Sequence, residues 1–343
     1  MNIVILDPGL RDLTGHHFDF VRKADSYLRS QGHQVIIYCH QSASRDVLCQ
    51  FNNIVPHFRS FPYPQFHGEI LDYHHHSQLI AEDLENIPHA DRAIWPSVFS
   101  FHMNGSRISN KFISVGCVHV EHHFHHDVYG AAQWTHAIHD NFKLFAIEHK
   151  LVADYIDIGV PCTYAPNPAD NTPIEGPRSK LKTIGFFGHQ RADKGSSRIF
   201  NMVSELVSTY NIVWHDSAGG ARYDHPNVTC YGSVPVLSDI IRTCDLVILP
   251  YDRTKYKKMS SGIMCESLSV GIPCIVPSGT TQADWIESTG SGIAFDIDVI
   301  QAIKKAHDNY PHIAQCAYNT AVEWPHKYGI EKFMSTMLRL ENI

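Results

Sequence analysis

The chain has 343 residues, enough for two cores, since single hydrophobic cores rarely grow much beyond about 250 residues. With 43% hydrophobic and 18% charged residues it is neither a disordered nor a collagen-like chain, and a formal charge of -7 argues against nucleic acid held by its phosphate backbone. No run of about 18 apolar residues occurs, and Met1 to Asp7 lacks the flanks of a signal peptide, so the cytosol is the expected address.

Asn2 to Leu6 is a short apolar run that stops at Asp7-Pro8-Gly9 and predicts a strand. A polar loop to His17, a helical pattern from Phe18 to Gln31 and a second apolar run from Gln34 to Cys39 follow. Strand, loop, helix, strand is the opening of a parallel α/β sheet. Further strands are predicted at Arg92 to Trp95, Lys111 to Val120 and Lys143 to Ile147. Pro161 to Pro177 is rich in Pro, Asn, Asp and Gly, has no helical or strand period, and reads as a linker. The α/β rhythm then restarts, with strands at Thr183 to Phe187, Asn211 to His215, Val228 to Tyr231, Leu246 to Leu249 and Cys274 to Val276. Helices are predicted at Ser196 to Tyr210, Leu237 to Arg242 and Ser261 to Val270, the last closed by Gly271. There is no fixed-period repeat. The nine cysteines form no C-x-x-C pair and read as reduced core thiols, whereas 25 histidines are unusual for this length.

Four segments carry candidate chemistry. In IGFFGHQRADKG, Ile184 to Gly195, a buried strand delivers the chain to Gly188, and Arg191, Lys194 and backbone N–H groups converge at the strand's carboxyl end, a setting for an anion. In the segment from Arg253 to Pro277, four cations (Arg253, Lys255, Lys257, Lys258) precede Ser260-Ser261-Gly262, which cap a helix and leave its positive end open to phosphates. Glu266 lies about one turn inside, where a carboxylate can accept two ribose hydroxyls. The loop from Asp7 to His17 offers Gly15 for close backbone approach, with Thr14 and His16 beside it, but lacks G-x-G-x-x-G, which disfavours a dinucleotide-binding dehydrogenase. In Phe112 to Asp127, His119 ends a strand and Glu121, His122, His123, His125 and His126 follow. Neither H-E-x-x-H nor H-x-x-E-H is present, so a catalytic metal is disfavoured. His74-His75-His76 reads as an exposed helix face.

Taken together, these segments resemble retaining glycosyltransferases of the GT-B fold, in family 4 (glycosyl transferases group 1). The likeness runs through the glycine loop at Gly15, the strand ending in His119, and LFAIEHKLVADYIDIGVPCTYAPNPAD from Leu144 to Asp170. It continues through G-x-x-x-x-x-K-G at Gly188 to Gly195, VPVLSDIIRTCDLVILPYD at Val234 to Asp252, and CESLSVGIPCIVP at Cys265 to Pro277, the most specific of them. The resemblance implies two Rossmann-like doubly wound α/β domains facing across a cleft. The acceptor domain would span 1–168, the donor domain 178–323, and 324–343 would supply a helix that crosses back to the first.

Carried over, the resemblance implies that Lys194 contacts the donor diphosphate and Glu266 the donor ribose. Gly15, with His16 beside it, would lie against the phosphates or the transferred sugar, and His119 would approach that sugar's hydroxyls. The family's arginine after the loop glycine is His189 here, so its role shifts to Arg191. Base recognition would use backbone around Ser233 and Val234, and the phosphates would meet Ser260, Ser261 and Gly262. The family's first Glu of Glu-x7-Glu is replaced by Lys258.

The implied reaction moves a sugar from a UDP- or GDP-sugar to a glycan or glycolipid acceptor with retention. It needs no metal, because cations and a helix end stabilise the departing diphosphate. The leaving phosphate itself is expected to take the acceptor proton, no fixed general base being evident. No cofactor is called for beyond the nucleotide sugar. The negative charge gives no support for tight attachment to anionic lipid, so weak peripheral membrane association is the most to expect. The rival readings are a GT-B nucleotide-sugar epimerase, with Glu121 or Asp127 as acid/base groups, and a two-lobed binding protein without chemistry.

Overall fold

A computed structural model describes residues 1–13, 15–63, 72–119, 128–234 and 236–338. The chain divides into two compact units, one formed by Met1–Pro166 with the segment from Ile330 onward, the other by Asn167–Gly329.

The first unit is built on strands β1 (Asn2–Asp7), β2 (Gln34–His40), β3 (Ile54–Phe58), β4 (Arg92–Trp95), β5 (Ser114–Val118), β6 (Phe142–Ala146) and β7 (Cys162–Tyr164). They pair in parallel in the order β3-β2-β1-β4-β5-β6-β7, with Ile3 in register with Val35 on one side and Arg92 on the other. Continuous apolar strands of this kind need cover on both faces. The helix Gly15–Ser30 buries Phe20, Val21, Ala24 and Leu28, a helical stripe set by three- and four-residue spacing. The helix Ile330–Leu338 adds Phe333, Met334 and Met337 to the same core, its Phe333 ring 4.9 Å from that of Phe20.

The second unit repeats the plan with β8 (Thr183–Phe186), β9 (Asn211–His215), β10 (Val228–Tyr231), β11 (Leu246–Ile248), β12 (Cys274–Pro277) and β13 (Gly292–Phe295), parallel in the order β10-β9-β8-β11-β12-β13. Ile184, Ile212, Leu246, Ile248 and Ile275 enter one core cluster and Val213, Val247, Cys274 and Val276 the other. Strand alternation thus feeds two cores, one per face.

In each sheet the first strand lies between the strand that follows it and the one reached after the chain reverses direction across the sheet. That places a switch point at the carboxyl ends of β1 and β4, and another at those of β8 and β11, where open α/β sheets take ligands.

Three strands were not anticipated. β3 contains Pro56 and β7 has three residues, and both lie at sheet edges, where a strand needs neither a long apolar run nor every N–H. β7 pairs with β6 inside the segment read as a linker. β13 is the third, on the far edge of the second sheet.

The division between units falls at Pro166/Asn167 rather than 168/178. The return to the first unit begins at Ile330 rather than Trp324, because Trp324 is 1% exposed and packs against Trp285 and Tyr328 in the second unit's core. Of the cysteines, Cys39, Cys117, Cys244, Cys265 and Cys274 are buried, but Cys49 is exposed and Cys162, Cys230 and Cys316 are half-buried, so the core reading is corrected for those four. His74 and His75 are exposed on the first turn of the helix Tyr73–Glu85. Among the described residues no helix is long and apolar enough to cross a membrane.

Candidate functional site

At the second switch point, β8 runs into Gly188 (φ +105°), and a 3-10 turn, Ala192–Lys194, leads to Gly195 (φ +79°). A Cβ on Gly195 would stand 2.2 Å from the Pro250 carbonyl oxygen, so only glycine lets this turn lie against the end of β11. The turn brings the Lys194 ammonium over the Tyr251 ring, 5.9 Å from its centroid, and 3.2 Å from where a Gly188 Cβ would sit. The Ile263 side chain reaches the same spot, at 3.5 Å.

Ile263 belongs to the first turn of the helix Gly262–Val270, whose start is fixed by Ser261. The Ser261 Oγ accepts the Met264 N–H at 3.2 Å and lies 3.0 Å from the Tyr251 hydroxyl. Lys194 makes no hydrogen bond or ion pair among the described residues. Burial, and then the Arg191 charge, push its ammonium down to about 8. A partly desolvated cation beside a positive helix end is an anion site.

Glu266 sits on the same helix, and the segment after β7 supplies its partner. The Asn171 Nδ2 donates to Glu266 Oε2 at 2.7 Å and to Ser269 Oγ at 2.8 Å, and Asn167 Nδ2 donates to Ser260 Oγ at 3.4 Å. Asn167 and Asn171 lie in the segment that reads as a linker; their signal is two amide side chains in a stretch with no periodicity of its own.

Other expected contributors are already engaged. Arg191 is exposed and holds Asp193 through two hydrogen bonds of 3.0 and 2.9 Å. The loop's N–H groups are partly spent, because Gly188 donates to His215 Nδ1 and Gln190 to Asp216 Oδ1, both at 3.1 Å. Asp216 also accepts from Ala218 and Gly220. Burial pushes its carboxyl up, but these three N–H donors outweigh it and hold it below the usual range. Burial likewise pushes His215 down, which keeps Nδ1 available as an acceptor.

Arg253 bonds the Phe295 carbonyl at 2.7 Å and faces Asp296, so it belongs to that corner rather than to the helix start. Asp298 caps the helix Val299–Asp308. Ser233 and Val234 follow the edge strand β10, with Ser233 exposed.

At the first switch point, Gly15 (φ +78°) opens the first helix and His16 follows it, its ring 5.1 Å from that of His119. These three expected residues therefore meet. His119 donates from Nε2 to the Pro96 carbonyl at 2.5 Å, and burial pushes its imidazole down to about 4, so it is neutral near pH 7. Asp7, His17 and Tyr63 share the place and were not foreseen; the signal for Asp7 is a charged residue closing the apolar run Ile3 to Leu6. Thr14 and the run from Glu121 to Asp127, which carries the metal reading and the epimerase's acid/base candidates, lie outside the described residues. No group of three His, Cys, Asp or Glu side chains able to hold a metal stands among those described.

No family model matches the chain, and no curated protein matches it in sequence. Solved structures do match over almost its whole length. The Anabaena protein HepE in complex with UDP-glucose is 11% identical, with 98% of each chain covered and a TM-score of 0.71. Sucrose-phosphate synthase from Thermosynechococcus elongatus is 10% identical, covering 98% of this chain and 97% of the other, with a TM-score of 0.69. WaaG, a glycosyltransferase involved in lipopolysaccharide biosynthesis, is 15% identical over 97% and 98%, also at 0.69. What they share with this chain is the fold. It is the two-sheet α/β fold of the GT-B glycosyltransferases.

Proposed function

We propose that the chain is a glycosyltransferase that moves a sugar from a UDP- or GDP-sugar to a glycan or glycolipid acceptor, with retention and without a metal. The observation that carries this reading is Lys194, an ammonium with no hydrogen bond or ion pair among the described residues, set beside the capped start of the helix Gly262–Val270. Negative charge grows on the diphosphate as the anomeric bond breaks, and fixed positive groups facing it lower the barrier most. Lys194 and the first N–H groups of the helix, those of Gly262 and Ile263, supply that charge. Arg191 joins them on exchanging Asp193 for phosphate, and Ser260 and Ser261 border the same helix start. Glu266, steadied by Asn171, accepts the ribose hydroxyls. Backbone at Ser233 and Val234 reads the base.

The first unit offers the acceptor, with Gly15 and His16 at its glycine turn and His119 as a neutral hydrogen-bonding group for the transferred sugar. HepE's complexes with UDP and UDP-glucose support a nucleotide-sugar donor, since they share this fold.

A thermal-shift panel of UDP, GDP, ADP and CMP tests the reading. Stabilisation by UDP or GDP, lost in Lys194→Ala and Glu266→Ala, is the expected result. No stabilisation by any of the four overturns the donor site.

A further inference from the structure

The start of the helix Gly262–Val270 is held by more than its own cap. Two residues before the capping Ser261, the Met259 carbonyl accepts two side-chain donors from the start of the helix Thr281–Thr289, the Thr281 hydroxyl and Gln282 Nε2, each at 2.7 Å. Thr281 is 3% exposed and Gln282 is wholly buried. The amide's orientation is forced, because the flipped form would set Gln282 Oε1 against the carbonyl oxygen, acceptor to acceptor. Oε1 is instead buried with no hydrogen-bond partner among the described residues.

For stability alone this is a costly arrangement. A buried acceptor left unpaired costs about 1–3 kcal/mol, and the Thr281 hydroxyl already satisfies the Met259 carbonyl. What the second donor adds is direction, since two donors, one for each lone pair, keep the carbonyl from swinging. In the trans Met259–Ser260 peptide the N–H stands opposite the carbonyl, so the same two bonds turn the Ser260 N–H away from the helix Thr281–Thr289. The segment leading to it is tied as well. The Thr281 N–H donates to the Tyr256 carbonyl at 3.3 Å, the Tyr256 ring stacks on that of Tyr251 with 4.1 Å between centroids, and the Tyr251 hydroxyl meets Ser261 Oγ. The Ser260 hydroxyl oxygen accepts from Asn167, whereas the Ser260 N–H makes no hydrogen bond among the described residues.

We propose that Gln282, with Thr281, is a positioning residue for the donor: by fixing the Met259 carbonyl it holds the Ser260 N–H out to the diphosphate, beside the N–H groups of Gly262 and Ile263. The proposal deepens the nucleotide-sugar reading above and rests on it. Successive backbone N–H groups form an anion-binding concavity. Donors aimed before the ligand arrives need no reorientation as charge grows on the departing diphosphate. Both side chains act through the loop backbone, which explains a buried amide at a place where a leucine would pack without an unpaired oxygen.

The test uses protein made with carbonyl-labelled methionine and nitrogen-labelled serine, in which a signal arises only where Ser follows Met. The chain has two such peptides, Met259–Ser260 and Met334–Ser335, and the second, in the other unit, serves as an internal control. UDP and GDP are added in turn, with binding followed by calorimetry. The nucleotide that binds is expected to move the Ser260 amide signal and leave that of Ser335 in place. A bound nucleotide with an unmoved Ser260 signal overturns the proposal and leaves the donor site standing. A wild-type protein that binds neither nucleotide sinks the nucleotide-sugar reading itself, and the proposal with it.

Gln282→Met keeps the side chain's length and removes the donor. Without nucleotide it is expected to move the Met259–Ser260 signal and not the control, and with nucleotide to weaken binding about tenfold and shrink the Ser260 response. A purely structural role for Gln282 predicts a lower thermal midpoint with unchanged affinity in the folded protein, and that result overturns the proposal. Should this variant not fold, the nucleotide response of Ser260 in the wild type decides the matter.

Discussion

The two sheets share one strand order through six strands and present opposite chemistry at the same topological place. At the carboxyl ends of β8 and β11 the charge is cationic, with Lys194 over the Tyr251 ring and the start of a capped helix. At those of β1 and β4 the groups are imidazoles around a buried acid, His16, His17 and His119 about Asp7. The backbone plan is common to both, so the difference lies in the strand ends and in the turns and helix starts that follow them. A doubly wound sheet fixes where a ligand can sit, and a handful of loop residues decide what it is.

The sharpest way to break this contrast is to remove the cation. Lys194→Ala is expected to lower turnover by about 10²–10³-fold, the range seen when one group stabilising transition-state charge is lost. Its thermal midpoint should hardly move, since the ammonium has no hydrogen bond or ion pair among the described residues to lose. A variant with wild-type turnover on a saturating donor would separate Lys194 from the diphosphate.

Glu266→Ala comes next and acts on binding. Hydrogen bonds to a charged group contribute about 1.5–3 kcal/mol, so nucleotide affinity, read by calorimetry, should fall by roughly one to two orders of magnitude. Asn171→Ala leaves the carboxylate without its amide donor and should cost less, about 0.5–1.5 kcal/mol of the same binding energy.

On the other sheet Gly9→Ala forces a methyl group into the His17 ring and should destabilise the first unit by about 1–3 kcal/mol in denaturant unfolding. Nucleotide affinity in the second unit should survive it, and loss of both together would mean that the two edges are not independent.

A smaller effect is expected with pH. Lys194 holds its proton less tightly in the folded protein than in the unfolded chain, so from about 8 up to its ordinary value near 10.5 the unfolded state binds more protons and this group's contribution to stability rises with pH. Nucleotide affinity moves the other way and should weaken as pH climbs through 8, because the ammonium is what meets the anion. Lys194→Met should flatten that fall, and an unaltered pH profile would assign it to another group.

Much of the fold was legible because the central strands are continuous apolar runs. Arg92–Trp95 and Asn211–His215 have the bounds their composition predicts, as does the edge strand Val228–Tyr231. The other edges were not, since β3 carries a proline and β7 hides in a proline-rich stretch, where pairing with a neighbour rather than intrinsic pattern makes the strand.

The candidate donor site was visible where chemistry and local structure coincide, at Lys194, Ser261 and Glu266. It was misjudged where a side chain's partner comes from far along the chain. Asp216 and His215 occupy N–H groups that the loop alone offered to an anion, and Asn171 reaches Glu266 across 95 residues. The Asp7–His17–Tyr63 set was hidden for the same reason, because Tyr63 joins it from beyond β3 and nothing in its neighbourhood marks it.

The most direct measurement is a crystal structure of the protein grown with UDP. The account predicts the diphosphate within hydrogen-bonding distance of Lys194 Nζ and of the Gly262 and Ile263 N–H groups, with the ribose hydroxyls on Glu266. A nucleotide bound away from the ends of β8 and β11, or a diphosphate that leaves Lys194 untouched, would contradict it.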